Sequence, residues 1–150
     1  MTGRVEEINI APAFKVLPTP VERVEVLRGQ GPVGDRYYAP TPREPGNGDD
    51  LTLIAAEALE GLTADTGIEL SAAEARRNVL TRGIDLNALV GRRFVVGDVE
   101  CVGVELCEPC RHLQALTVKG VLRGLVHRGG LRADVLRSGT IALGDAVLAS

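Results

Sequence analysis

Short runs of Val, Leu and Ile that alternate with polar residues, several of them closed within a few positions by glycine, restrict this 150-residue chain to a β-rich fold. Residues 4–10 and 21–27 show the two-residue rhythm of half-buried strands. Eighteen glycines against four aromatic residues fit many tight turns between short strands. Residues 29–34 read as a glycine-rich turn. Residues 39–50, rich in Pro, Gly, Asn and Asp, read as an exposed and mobile loop. Residues 51–54 form a short apolar strand, and the Ala, Leu and Glu of residues 55–62 predict a helix ending near Gly61. Ser71 and Glu74 have the capping-box spacing, which predicts a second short helix.

Punctuation is more regular after Arg76. Residues 78–81 read as a strand, Asp85 can cap a helical turn reaching Leu89, and Gly91 supplies a left-handed stop. Residues 92–96 and 99–106 are strands of a hairpin turning at Gly97-Asp98. Residues 131–136 and 140–148 repeat that pattern through Ser138-Gly139, and residues 111–126 between the two hairpins read as largely helical. The fold class is therefore mainly β: a small closed or nearly closed β-barrel, which removes exposed sheet edges, with a few short helices in its connections. Residues 1–150 fit one domain, and a chain of this length buries roughly 70% of its unfolded surface without a disulfide framework.

Charge divides unevenly along the chain. The net charge is −3, but residues 1–75 hold six Lys/Arg against thirteen Asp/Glu, whereas residues 76–150 hold eleven against seven. A basic second half in an acidic chain without Trp suits a small anionic ligand better than nucleic acid. No apolar run has membrane-spanning length, and the segment after Met1 lacks a basic start followed by an apolar block, so the expected location is the cytoplasm.

The chemistry centres on Cys107-Glu108-Pro109-Cys110. Pro109 suits an early helical position, which would set Cys110 near a helix N-terminus, where the partial positive charge favours thiolate. Arg111, and His112 if protonated, would lower the thiol pKa further. Three uses of the pair stay open on residue type alone. A zinc site needs about four ligands, and only Cys101, His112 and His127 remain to complete one. A redox pair would want a βαβ context, and two half-buried thiols can also have no chemical role. Cys101 lies inside a strand and is assigned to packing. Arg76-Arg77-Asn78 forms the second constellation, with Arg36, Arg92, Arg93, Arg128 and Arg132 as additions. Guanidinium groups hold phosphate through two parallel bonds, and Asn offers a donor and an acceptor to a heterocycle. On an extended strand only one of Arg76 and Arg77 can face a given pocket, and each is equally able to be a solvated surface charge. His127-Arg128-Gly129-Gly130 is either a turn that brings backbone N–H groups to an anion or the start of the last hairpin.

These stretches resemble the MOSC domain, the family named for the C-terminal region of molybdenum cofactor sulfurase. The resemblance is carried by Gly34-Asp35-Arg36, Leu51-Thr52-Leu53-Ile54, Arg76-Arg77-Asn78-Val79-Leu80, Gly83-Ile84-Asp85-Leu86, Gly91 with Phe94 and Gly97, Cys107-Glu108-Pro109-Cys110, and Gly129 through Asp145. It implies a barrel of the pyruvate-kinase-barrel-like kind and an association with molybdenum cofactor (molybdopterin). By the resemblance, Cys110 is the metal ligand or persulfide carrier and Cys107 its companion, while Arg36, Arg76, Arg77, Asn78, Arg111, His127 and Arg128 contact the cofactor. A cysteine desulfurase or a redox protein is the implied partner. The chain departs from the family where many relatives carry His after Gly-Asp-Arg and this one has Tyr37. These 150 residues also contain no aminotransferase-like segment, so no pyridoxal phosphate site is expected in them. A molybdenum-dependent reductase of N-hydroxylated compounds and a non-catalytic, partner-binding barrel are the alternative readings.

Overall fold

A computed structural model describes residues 1–107 and 129–149. Eleven strands are found among the described residues: β1 (Thr2–Ile10), β2 (Thr19–Val21), β3 (Arg23–Leu27), β4 (Gly31–Pro32), β5 (Leu51–Ala55), β6 (Val79–Arg82), β7 (Arg93–Val96), β8 (Val99–Leu106), β9 (Leu131–Arg137), β10 (Gly139–Ala142) and β11 (Ala146–Ala149). The helix α1 (Ala56–Thr66) joins β5 to the segment before β6. Strands pair in the order β11-β7-β8-β9-β5-β6-β1, and β11 pairs β1 to close a seven-stranded barrel. β2 extends from β1, and β10-β3-β4 form a small second sheet. No helix among the described residues is long and apolar enough to cross a membrane.

Alternation fills the barrel. Val5, Ile8 and Ile10 of β1 point inward with Leu51 and Leu53 of β5, Phe94 and Val96 of β7, and Leu131 and Ala133 of β9. Each large side chain so buried contributes about 1.5–3 kcal/mol relative to exposure. Cys101 is fully buried in this core, as packing requires, and loss of hydration pushes its thiol pKa well above the usual range. A second, smaller cluster, with Ile54, Leu62, Leu70 and Ala75, packs α1 onto the outside of the wall.

Several local expectations differ from what forms. Residues 21–27 are two strands, because the chain leaves the barrel at Glu22 and enters the small sheet. α1 runs through Gly61 and stops at Gly67, whose φ of 75° gives the left-handed turn that returns its N–H to the Thr63 carbonyl. The Ser71–Glu74 capping box closes with both bonds at 3.0 Å, yet only a turn follows. The second hairpin does not form through Ser138-Gly139: Ser138 accepts from the Arg28 N–H, and β10 pairs β3 instead of β9. Residues 39–50 are tied down, since Asp134 accepts from the N–H groups of Gly46 and Gly48 at 2.6 and 2.9 Å and Asp50 pairs with Arg43 at 3.0 Å. The helix expected over residues 111–126 lies outside the described residues.

Candidate functional site

Four of the expected site residues, Cys110, Arg111, His127 and Arg128, lie outside the described residues. Of the others, Cys107 and Arg77 meet at adjacent glycines, and Arg76 lies within electrostatic range of Arg36. Cys107 follows β8 directly, half-buried, and its N–H donates to the Gly130 carbonyl at 2.7 Å. Arg77 donates through Nε to the Gly129 carbonyl at 2.7 Å, so the Arg-Arg-Asn segment and the start of the C-x-x-C hold adjacent glycines. Gly130 has to be glycine: its φ is 105°, and a Cβ there would collide with the Leu53 carbonyl.

Arg76 diverges from Arg77. Its φ of 60° takes it out of the extended conformation in which neighbouring side chains oppose, and its Nη1 donates to the Val16 carbonyl at 2.8 Å. Arg36 is largely buried, 3.5 Å from Asp35 and with its guanidinium carbon 4.7 Å from the Tyr37 ring centroid. Tyr37 meets Phe14 edge to face at 5.2 Å. Asp35 is also buried, accepting from the Ala11 N–H at 3.0 Å and from Tyr37 N–H at 3.4 Å. Burial, and after it the positive charge of Arg36, lower the proton affinity of Arg76, while Tyr37 and Asp35 oppose the shift. Two guanidinium groups thus lie close enough to repel while only Arg36 is paired with the Asp35 carboxylate, an arrangement that an incoming anion stabilises.

Asn78 is spent on the wall. Its Oδ1 accepts from the N–H and hydroxyl of Thr52 at 3.2 and 3.1 Å, its own N–H donates to the Thr52 Oγ1 at 3.0 Å, and its Nδ2 donates to the Asn9 carbonyl at 3.3 Å. Asn9, on the neighbouring strand, was not singled out from the sequence. Its N–H donates to the Asn78 carbonyl at 2.7 Å, but neither Oδ1 nor Nδ2 has a hydrogen-bond partner among the described residues, although Asn9 is only 1% exposed. A polar residue between Ile8 and Ile10, in a strand position that disfavours Asn, was the available signal. Of the added arginines, Arg93 and Arg132 make surface ion pairs with Glu100 and with Glu105 and Asp49. A cavity of about 520 Å³ near Gly130 is lined by Glu57 and Asp85, and its acidic wall suits an anion poorly.

A family model, described as MOSC domain, matches residues 41–148. The chain belongs to the MOSC family. This domain family is associated with molybdenum cofactor binding or sulfur transfer. The MOSC fold seen here is similar to the crystal structure of the YuaD protein from Bacillus subtilis, with a TM-score of 0.84, 18% identity, and coverage of 98% of this chain and 94% of that one. YiiM from Geobacillus stearothermophilus is similar with a TM-score of 0.75 and 14% identity over 99% of this chain and 75% of that one. For YiiM from Escherichia coli the values are 0.69 and 15% over 98% and 69%. At these identities the likeness is one of fold. No curated protein matches the MOSC chain.

Proposed function

We propose that this MOSC domain binds molybdenum cofactor, with Cys110 as metal ligand or sulfur carrier and Cys107, three positions before it, as its companion. The observation that supports the reading best is the contact of Arg77 with Gly129, next to the Cys107–Gly130 bond, which joins the basic segment to the start of the C-x-x-C. The donor chemistry fits the group: Arg36 and Arg76 offer forked cationic donors for a phosphate, and the unpartnered Asn9 amide offers a polar contact inside the wall. When bound, the cofactor supplies redox and sulfur chemistry at its metal. The chain's own residues bind and orient it: Arg36 and Arg76 hold the anionic end, Arg77 fixes the Gly129–Gly130 turn, and Asn78 keeps β1, β5 and β6 in register. Arg111, His127 and Arg128 complete the basic set, and a cysteine desulfurase or redox protein is the partner such a site would require.

Molybdenum, pterin and sulfane sulfur, measured in protein freshly purified from a cofactor-competent host, test the reading. Wild type is expected to carry molybdenum and pterin or sulfane sulfur, Cys110→Ala to lose the metal or the sulfur, and Arg76→Ala to carry about tenfold less pterin, the loss of one charge-assisted contact. Wild-type protein with none of the three ends the proposal.

A further inference from the structure

The Asn9 amide is the one buried amide of the wall that the fold leaves unanswered among the described residues. Ile8 and Ile10 point into the core, so the alternation of β1 turns Asn9 toward the outside of the barrel, where it is nevertheless covered. An unpartnered buried amide destabilises the fold unless ordered water, an ion or another molecule meets it. Its surroundings are those of the anion site. Asn9 donates its backbone N–H to the Asn78 carbonyl and accepts from the Asn78 side-chain amide, two residues from Arg76, and Ala11, two residues further along, is bonded to both Asp35 and Arg36.

Both atoms of the amide are unanswered, and that selects the ligand chemistry. A phosphate presents acceptors, which would satisfy Nδ2 and leave Oδ1 bare. A lactam or amidine edge, carrying a donor beside an acceptor, satisfies both at once. We infer that Asn9 is a binding residue of the same site, its amide pairing with the donor–acceptor edge of a planar heterocycle while Arg36 and Arg76 hold the anionic end. This rests on the reading of the site as one for a pterin cofactor. Access requires a shift, since Asn9 is covered, and the tether that an anion competes for is in place: Arg76, which holds the Val16 carbonyl, fastens the connection from Ala11 to Pro18 that follows β1 directly.

The test uses the full chain in a cofactor-competent host and compares wild type with Asn9→Leu, which keeps the volume and removes both polar atoms, and with Asn9→Asp, which keeps the shape but offers only acceptors. Molybdenum and pterin per chain are read together with the melting temperature of the cofactor-free protein. Both variants are expected to carry about tenfold less pterin. Cofactor-free Asn9→Leu should melt at the wild-type temperature or about 2 °C above it, because it removes an unsatisfied amide. Full loading of Asn9→Leu overturns the inference and assigns the amide to ordered water. A cofactor-free Asn9→Leu that melts well below wild type, or fails to fold, overturns it as well, since the amide would then be holding the wall. Wild type without pterin removes the functional reading itself and this inference with it, whereas loaded wild type with indifferent variants removes the inference alone.

Discussion

Asn78 and Asn9 stand side by side on the outer face of the barrel, bonded to each other through their backbones, yet they are used in opposite ways. Every polar group of Asn78 has a partner in β5 or β1, whereas the Asn9 side chain has none among the described residues. The same division separates the neighbouring arginines: Arg77 braces the Gly129 turn, while Arg76 sits in a left-handed conformation with a carbonyl as its hydrogen-bond acceptor. Satisfied groups belong to the fold and raise its stability. Unsatisfied or strained groups lower it, and they are the positions at which a use outside the fold is to be sought.

The strongest way to break that division is Asn78→Leu. It leaves the Thr52 N–H and the Asn9 carbonyl without their side-chain partners in a buried wall, at a cost of about 1–3 kcal/mol for each group, so a loss of about 3 kcal/mol is expected in urea unfolding. Cofactor loading should fall only in proportion to the unfolded fraction. If Asn78→Leu kept wild-type stability and still lost the cofactor, Asn78 would belong with Asn9, and the division would be wrong.

Arg76→Gly sharpens the comparison from the other side. A φ of 60° costs a non-glycine residue roughly 1 kcal/mol, and glycine removes that strain together with the repulsion from Arg36, offset by the lost Val16 contact and the added freedom of the unfolded chain. The expected outcome is a stability within about 1 kcal/mol of wild type, on the favourable side, accompanied by loss of pterin from the purified protein. A large loss of stability in the same unfolding experiment would make Arg76 a structural clasp on Val16 and weaken its claim as an anion ligand.

What could be read in advance follows the range of the forces involved. The hairpin at Gly97-Asp98, the Asp85 cap, which accepts from Asn87 N–H at 3.1 Å, and the Ser71–Glu74 box are fixed by residues a few positions apart, and all three form. The path from β9 to β10 depends on contacts between residues more than a hundred positions apart, such as Arg28 with Ser138, and alternation alone cannot reveal them. In the candidate site, the residue types of Arg36, Arg76, Arg77 and Asn78 suggested a polar, basic neighbourhood, and of these the described residues connect Arg77 to the glycine next to the one that Cys107 bonds. The roles within it needed coordinates. Asn78 looks like a ligand contact by residue type until its bonds to Thr52 are seen, and Asn9 looks like a flaw in a strand until its amide is found without partners.

Thr81 supplies the smallest effect and the control for the whole comparison. Its hydroxyl is also buried without a partner among the described residues, but it stands between Val5 and Ala55 in register, away from the bonds that surround Arg36 and Arg76. A hydroxyl can turn to reduce its penalty, and Val has nearly the same shape, so Thr81→Val should raise stability by at most about 1 kcal/mol. Loading should be unchanged. Melting curves of the cofactor-free protein and pterin content together decide the matter: if Thr81→Val lowered pterin as far as Asn9→Leu, loss of any buried polar group would impair loading, and the amide of Asn9 would have no special place in recognition.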